Sequence, residues 1–468
     1  MKRASSPRTT AELSRAAPSP TDLYSITTGA VGVGAPSSTD EPAQDCLASG
    51  GREARGPGWS VSKDRCLKRG TPMARKLQQS ISRMSLRAAS SALTFAVALL
   101  LATSQLAQAQ TFTDLYNFAG SPDGAHPFAG LVRDAAGNLY GTTYTGATSG
   151  YGTVFKVDTK GNETVLYSFT GGNDGGSPVG GLVRDAEGNL YGTTQYGGIS
   201  GYGAVFKVDK SGNETVLYSF QGGQGDGCNP YGGLVRDTEG NLYGTTPSCG
   251  NSNNGTVFVV TKNGNSRLLH SFAGGKDGAD PLYTALLLDA KGNLYGVTAE
   301  GGSQNDGVLY KLTPKRKLTI LHTFIGGTKD GCFAHGTPAM DKQGNLYGTT
   351  SRCGTGSEGT VWKVSPKGKE TVLHNFAGGS TDGANPIGGV ILDAQGNFYG
   401  NTDSGGPSDD GTIFQLSNKG TLTLLHSFVG SDGGTPFGGV IRDAKGNLYG
   451  ATLEGGSGGD GVVWKLTP

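Results

Sequence analysis

Four of the six cysteines (Cys46 and Cys66 lie in the N-terminal extension), six histidines and a set of loop tyrosines and carboxylates are the residues of this chain that could do chemistry. Cys228 and Cys249, and again Cys332 and Cys353, stand 21 residues apart. A four-cysteine zinc site needs C-x-x-C pairs, which are missing here. Both pairs occupy loops that an up-and-down sheet brings to the same face, so two disulfides are expected, 228–249 and 332–353, in an oxidising compartment. His335 is the weak catalytic candidate, since it stands where other repeats carry Phe128, Val179, Tyr231, Leu282, Ile387 and Phe437. Acid–base work is the chemistry it offers; a solvated loop histidine is the plainer reading, as for His126. His270, His322, His374 and His426 share one position with Tyr116, Tyr167 and Tyr218. A catalytic base would not survive exchange for tyrosine, so these read as structural.

The other motifs are thin. Gly455-Gly-Ser-Gly-Gly459 has the spacing of a nucleophile elbow, but that device needs a strand-to-helix turn and this is a glycine-rich hairpin loop. There is no His-Glu-x-x-His, P-loop or dinucleotide fingerprint. Seven aspartates before the first strands, Asp123, Asp174, Asp226, Asp277, Asp330, Asp382 and Asp432, each followed by Gly, offer oxygen ligands for Ca²⁺. None has Asp-x-Asp-x-Asp spacing, so repeated Asx turns are preferred and no cofactor is expected, with Ca²⁺ the alternative.

Positioning these residues falls to a repeat. The phrase Asp-x-x-Gly-Asn-(Leu/Phe)-Tyr-Gly begins at Asp134, Asp185, Asp237, Asp289, Asp341, Asp393 and Asp443, spaced by 51, 52, 52, 52, 52 and 50 residues. A fixed period in this range marks a solenoid or propeller. Each unit reads as four short strands, in the second unit Gly180–Arg184, Asn189–Thr194, Ala204–Asp209 and Glu214–Phe220. An orphan strand, Thr111–Phe118, precedes the first unit, and the last unit stops after its third strand at Pro468. The expected fold is therefore all-β: a seven-bladed β-propeller, four strands per blade, the last blade closed by the N-terminal strand of the mature chain. The second-strand tyrosines (Tyr140 and its equivalents) and third-strand aromatics (Phe155 to Trp464) recur in every unit and read as packing between blades.

Exceptions to the repeat are the better site candidates. The loops between second and third strands present Tyr144, Tyr151, Tyr196 and Tyr202 in units 1 and 2. Units 4 to 7 present Glu300, Asp306, Glu358, Asp403, Asp410, Glu454 and Asp460 there. Aromatics beside carboxylates stack on sugars or hold cationic peptides, and the candidate ligand site is Tyr144, Tyr151, Tyr196, Tyr202, Glu300, Asp410 and Glu454. The alternative is ordinary surface variation. Arg133, Arg184, Arg236 and Arg442 form a basic arc at the opposite end of the inner strands.

Residues 1–83 read as a disordered or mis-assigned extension, rich in Ser, Pro, Gly and Arg. Residues 84–109 read as a secretory signal peptide, with Arg87, the apolar run Ala92–Leu101 and the small-residue site Ala107-Gln-Ala109. Translation from Met73 or Met84 would place that signal better than a start at Met1, and the run is too short for a membrane span. Residues 110–468 are the propeller. Residues 1–109 hold 14 Lys/Arg and 7 Asp/Glu, which leaves 25 and 31 in the ring, a net charge of −6. That charge excludes the basic footprint of a nucleic-acid binder.

The run Gly-Gly-Leu-Val-Arg-Asp-Ala-x-Gly-Asn-Leu-Tyr-Gly-Thr-Thr, then Gly-Thr-Val-Phe-Lys-Val, then Glu-Thr-Val-Leu-Tyr-Ser-Phe, resembles the GloVer tandem repeat of exported bacterial proteins, across the whole mature chain. It is more loosely similar to NHL-type propellers. The resemblance implies a propeller outside the cytoplasm, periplasmic or extracellular, and no assigned activity. Many relatives carry a C-terminal sorting anchor; the sequence stops at Pro468 without one, so surface attachment is not expected. The expected function is that of a non-enzymatic monomer binding a glycan or peptide through its loop-rich face. The alternatives are an extracellular polysaccharide lyase or hydrolase and a cell-envelope adhesion or structural module.

Overall fold

The computed structural model describes residues 110–468; the expected extension (1–83) and signal peptide (84–109) lie outside the described residues. Seven four-stranded antiparallel sheets form seven blades. Blade 1 consists of Val132–Arg133, Leu139–Thr143, Thr153–Val157 and Glu163–Ser168, in that order from the inside out. Blade 7 takes its outer strand from the other end of the described chain: Thr111–Asn117 runs antiparallel to Val462–Thr467, pairing Phe112 with Leu466 and Asp114 with Trp464.

The core phrase is a self-contained turn. Asp134 Oδ1 accepts the backbone N–H of Asn138 at 2.8 Å, and Oδ2 accepts Asn138 Nδ2 at 2.7 Å and the Tyr140 hydroxyl at 3.0 Å. Gly137 supplies the positive φ of 97° that this turn requires. Gly141 is glycine for another reason. A Cβ there would meet the Phe155 ring on the paired strand at 2.6 Å, so the missing side chain makes room for the third-strand aromatic.

Those aromatics form the seams. Phe155, Phe206, Phe258, Tyr310, Trp362, Phe414 and Trp464 are all at most 1% exposed. Each meets a phenylalanine that ends the outer strand of the preceding blade, from Phe118–Phe155 at 5.0 Å to Phe428–Trp464 at 6.2 Å between ring centroids. The core is thus a set of inter-blade clusters, such as Tyr140, Val154 and Phe169 of blade 1 against Leu182, Leu190 and Phe206 of blade 2.

The innermost strands are shorter than expected: Val183–Arg184 in place of Gly180–Arg184. Neighbouring chains converge near the axis, where a Cβ on Gly180 would stand 2.4 Å from the Gly232 carbonyl. Backbone there faces other blades and cannot keep a ladder with its own second strand. Blade 5 is the exception, its first strand running Gly331–Met340. At the position of Ala334 the other blades have a proline (Pro127, Pro178, Pro230, Pro281, Pro386, Pro436), which lacks the N–H a ladder needs there. Blade 5 has Ala334, paired with Thr350.

Candidate functional site

The loop leading into each first strand and the loop between second and third strands emerge on one face and pair there. Cys228 lies opposite Ser248 and Cys332 opposite Arg352 in these ladders. Both expected disulfides are present, 228–249 and 332–353, each with Cα atoms 5.5 Å apart. The rim of this face stores strain. His126, Ser177, Asn229, Asp280, Phe333, Asn385 and Thr435 occupy one equivalent position in all seven blades, with φ between 50 and 57°. A non-glycine residue held left-handed costs on the order of 1 kcal/mol, and such strain gathers where side chains must be aimed.

Inside the rim the axis is plugged. Phe128, Val179, Tyr231 and Phe437 are buried together, with Leu282, Tyr283 and Ile387 against them. Phe128 and Phe437 stand 4.2 Å apart, and Tyr283 lies 4.8 Å from Phe437 and 5.4 Å from Tyr231. An axial cavity of about 350 Å³ lies against the plug, lined by aliphatic side chains and inner-strand glycines such as Gly130, Gly181 and Gly439. His335 belongs to the plug. It is buried, Nδ1 lies 3.4 Å from the Leu282 carbonyl, and burial pushes its pKa down to about 4. It is a neutral packing residue at neutral pH and does not reach the surface as a loop base would. His126 is half-buried at the rim, its Nδ1 2.8 Å from Thr145 Oγ1.

The four tyrosines divide into two pairs. Tyr144 packs against the plug, 6.3 Å from Phe128, and burial together with Tyr196 pushes its pKa up to about 12. The fully buried Gln195 donates through Nε2 to the Tyr196 hydroxyl at 2.8 Å and to the Tyr231 hydroxyl. Tyr151 and Tyr202 sit further out, exposed, on the seams to the next blade. A Cβ on Gly171 would strike the Tyr151 ring at 2.6 Å, and one on Gly222 the Tyr202 ring at 2.9 Å. Asp306, Glu358, Asp410 and Asp460 take the same seam position on blades 4 to 7, each backbone carbonyl accepting from the next rim residue. The expected contrast of tyrosines against carboxylates is therefore positional, ring on one arc and charge on the other. Glu300 and Glu454 lie at the rim instead, beside Ala279 and Gly434.

Three features of the mouth escaped the sequence reading. Tyr283 is one, and its signal was a single extra residue: Asp277 to Asp289 spans 12 residues where the other blades span 11. Asp280 is the second, and the third is the burial of Asp403, which the sequence places only among the loop carboxylates. Burial and the neighbouring Glu300 push Asp280 up to about 7. Burial pushes Asp403 up to about 7, against a 3.0 Å hydrogen bond from Ser404.

On the turn face the arginine arc has a packing role. Arg133 lies over the Tyr449 ring at 5.5 Å, Arg184 over Tyr140, Arg236 over Tyr191 and Arg442 over Tyr399, each clasping the preceding blade. The Asp-Gly aspartates are also engaged, one per seam. Tyr116 donates to Asp123 at 2.6 Å, and His426 Nε2 stands 2.9 Å from Asp432. Tyrosine and histidine interchange because either donates to that carboxylate.

The sequence matches the profile of the Gloeobacter/Verrucomicrobia repeat over residues 102–286 and again over 282–468. The chain belongs to this repeat family. Among solved structures this family member is similar to the selenomethionine-substituted virginiamycin B lyase of Staphylococcus aureus, at 13% identity and a TM-score of 0.52, covering 77% of this chain and 99% of that one. It is also similar to the extracellular domain of a hybrid two-component system of B. thetaiotaomicron, at 13% identity and a TM-score of 0.52, covering 76% of this chain and 39% of that one. At such identity the likeness speaks to the propeller fold alone. No curated protein matches the repeat protein in sequence. Among the described residues no helix is long and apolar enough to cross a membrane.

Proposed function

We propose that this protein is an exported, monomeric, non-enzymatic propeller that binds an extracellular glycan or peptide through its loop face. One observation carries the reading. The exposed large apolar side chains of the described residues, Tyr151, Tyr196, Ile199, Tyr202, Ile325 and Val429, all belong to loops of that face. Four of them cluster on blades 1 and 2, while the carboxylates occupy the rest of the face on blades 4 to 7. Rigid aromatics lose little entropy on binding and dominate contact energy where they are centred, and carboxylates can accept from sugar hydroxyls or pair with cationic peptide groups. The disulfides support export. A glycan and peptide array on the purified protein tests the reading. A ligand class should be captured, and the pair Tyr151→Ala and Tyr202→Ala should weaken its binding at unchanged melting temperature. Unchanged affinity would reject the site.

A second reading, a polysaccharide lyase or hydrolase, is favoured by Asp280 and Asp403. A carboxyl held near neutrality can donate a proton to a leaving group, and both lie near the mouth. Turnover of a polysaccharide panel, abolished by Asp403→Asn or Asp280→Asn, would move the assignment to this reading.

A further inference from the structure

Each blade seam joins three positions: the Tyr or His near the end of one outer strand, the Asp of the next lead-in loop, and the first residue of the next outer strand. Around the ring the third position is Glu163, Glu214, Ser266, Leu318, Glu370, Leu422 and Phe112, fixed by its pairing with the last core residue of the third strand. Histidine occurs at four seams and glutamate at three. They coincide at one seam, between blades 4 and 5, as His322, Asp330 and Glu370.

We propose that His322, Asp330 and Glu370 form a binding site for a divalent transition-metal ion of the zinc class, which ties the outer strand of blade 4 to that of blade 5. One ligand atom from each residue lies within 4.8 Å of the other two. His322 Nε2 and Asp330 Oδ2 are 3.3 Å apart. Glu370 Oε1 is wholly enclosed without a hydrogen-bond partner, as are Glu163 and Glu214 Oε1 at seams that carry tyrosine; at the Glu370 seam the third group is instead an imidazole, which can ligate a metal. Tetrahedral ligands ~2.0 Å from an ion stand roughly 3.3 Å apart, the spacing His322 and Asp330 already have, so the Glu370 oxygen closes by up to about 1.5 Å, within the reach of side-chain rotation.

The donor set selects the ion. One imidazole with two carboxylates and one open position suits Zn²⁺ and is far short of the six to eight oxygens that Ca²⁺ takes. The other seams serve as internal controls. Where glutamate meets tyrosine, at Tyr116–Asp123–Glu163, the phenol donates to Asp123 and burial holds it protonated, so two ligands remain. Where histidine recurs, at His374–Asp382, the third position is Leu422 and the third ligand is gone. His322 is 16% exposed at its side chain, so an ion reaches the site from solvent.

The test is calorimetric titration of Zn²⁺ into metal-stripped full-length protein, with thermal melts alongside. The expected result is one equivalent bound and a raised melting temperature. His322→Tyr and Glu370→Leu introduce residues that other seams already carry, and each should weaken Zn²⁺ binding by more than about ten-fold. Glu370→Gln, which keeps the shape and removes the charge, gives the same answer should the leucine variant fold poorly. His374→Tyr at the next seam should bind Zn²⁺ as the wild type does. No binding by the wild type would overturn the proposal. So would binding retained in His322→Tyr and Glu370→Gln, or lost equally in His374→Tyr.

Discussion

Phe118 tests whether the ring is closed by its N-terminal strand. Its ring is fully buried in the cluster that joins blade 7 to blade 1, and it meets Phe155 edge-on at 5.0 Å. It can reach that cluster only if Thr111–Asn117 pairs with Val462–Thr467. Phe118→Ala should therefore cost a fully buried aromatic, about 3–5 kcal/mol. An unfolding entropy of ~2.1 cal/mol/K per residue over about 360 residues makes each kcal/mol worth roughly 1.3 °C, so the melting temperature should fall by about 4–7 °C. Phe112→Ala is the graded companion. Phe112 is half-buried and stacks on His426 at 3.8 Å, so a loss of about 1–2 kcal/mol is expected. Removing every residue before Gly120 should be harsher, because it bares the Val462–Thr467 edge with Trp464 beneath it and invites edge-to-edge association. Differential scanning calorimetry and size-exclusion chromatography read both effects. A Phe118→Ala protein melting within about 1 °C of wild type, or a truncated protein that stays monomeric at the same melting temperature, would refute closure.

Four further outcomes are expected. Replacing Cys228 and Cys249 together by serine should cost about 3 kcal/mol, from a closed loop of 21 residues, and the 332–353 pair the same, the two adding because they lie in separate blades; unchanged melting temperatures would show the bonds to be idle. Glu163 and Glu214 are pushed up to about 7 by burial and by Asp123 and Asp174. With folded values above the unfolded one, they contribute stability that is complete below about pH 4.5 and lost as the pH rises through 7. Glu163→Leu, the residue type of two other seams, should thus raise the melting temperature at pH 8 but not at pH 4.5, and no gain at pH 8 would count against it. His335→Leu should leave stability level or slightly higher, since the imidazole is buried with one long contact to Leu282; a loss above about 3 kcal/mol would show a partner worth more than that bond. N-terminal sequencing of exported protein should begin at Gln110, and retention of residues 1–83 would contradict the expected cleavage after Ala109.

The local devices were legible in the letters. In the Asp134 turn, donors and acceptors lie four to six residues apart, and a repeat prints that chemistry seven times. The disulfide pairing followed from two cysteines occupying equivalent loops, and the tyrosine and carboxylate arcs from blades that differ at one repeated position. Strand ends are less legible: the second unit's first strand is three residues shorter than its letters predict, because the crowding of glycine backbones at the axis comes from other blades.

What the letters withheld depends on closing the ring. Phe128, Tyr231, Tyr283, His335 and Phe437 come from five blades and meet on the axis only once all seven are placed. His335 therefore read as a loop histidine and is a buried, neutral one, and the arginine arc read as a charged surface and is a row of clasps on neighbouring tyrosines. The near-neutral carboxyls of Asp280 and Asp403 have the same origin. Sequence spacing sets which groups can bond along one strand or turn, but desolvation sums over everything within several ångströms, and most of that surrounding matter here belongs to other repeats.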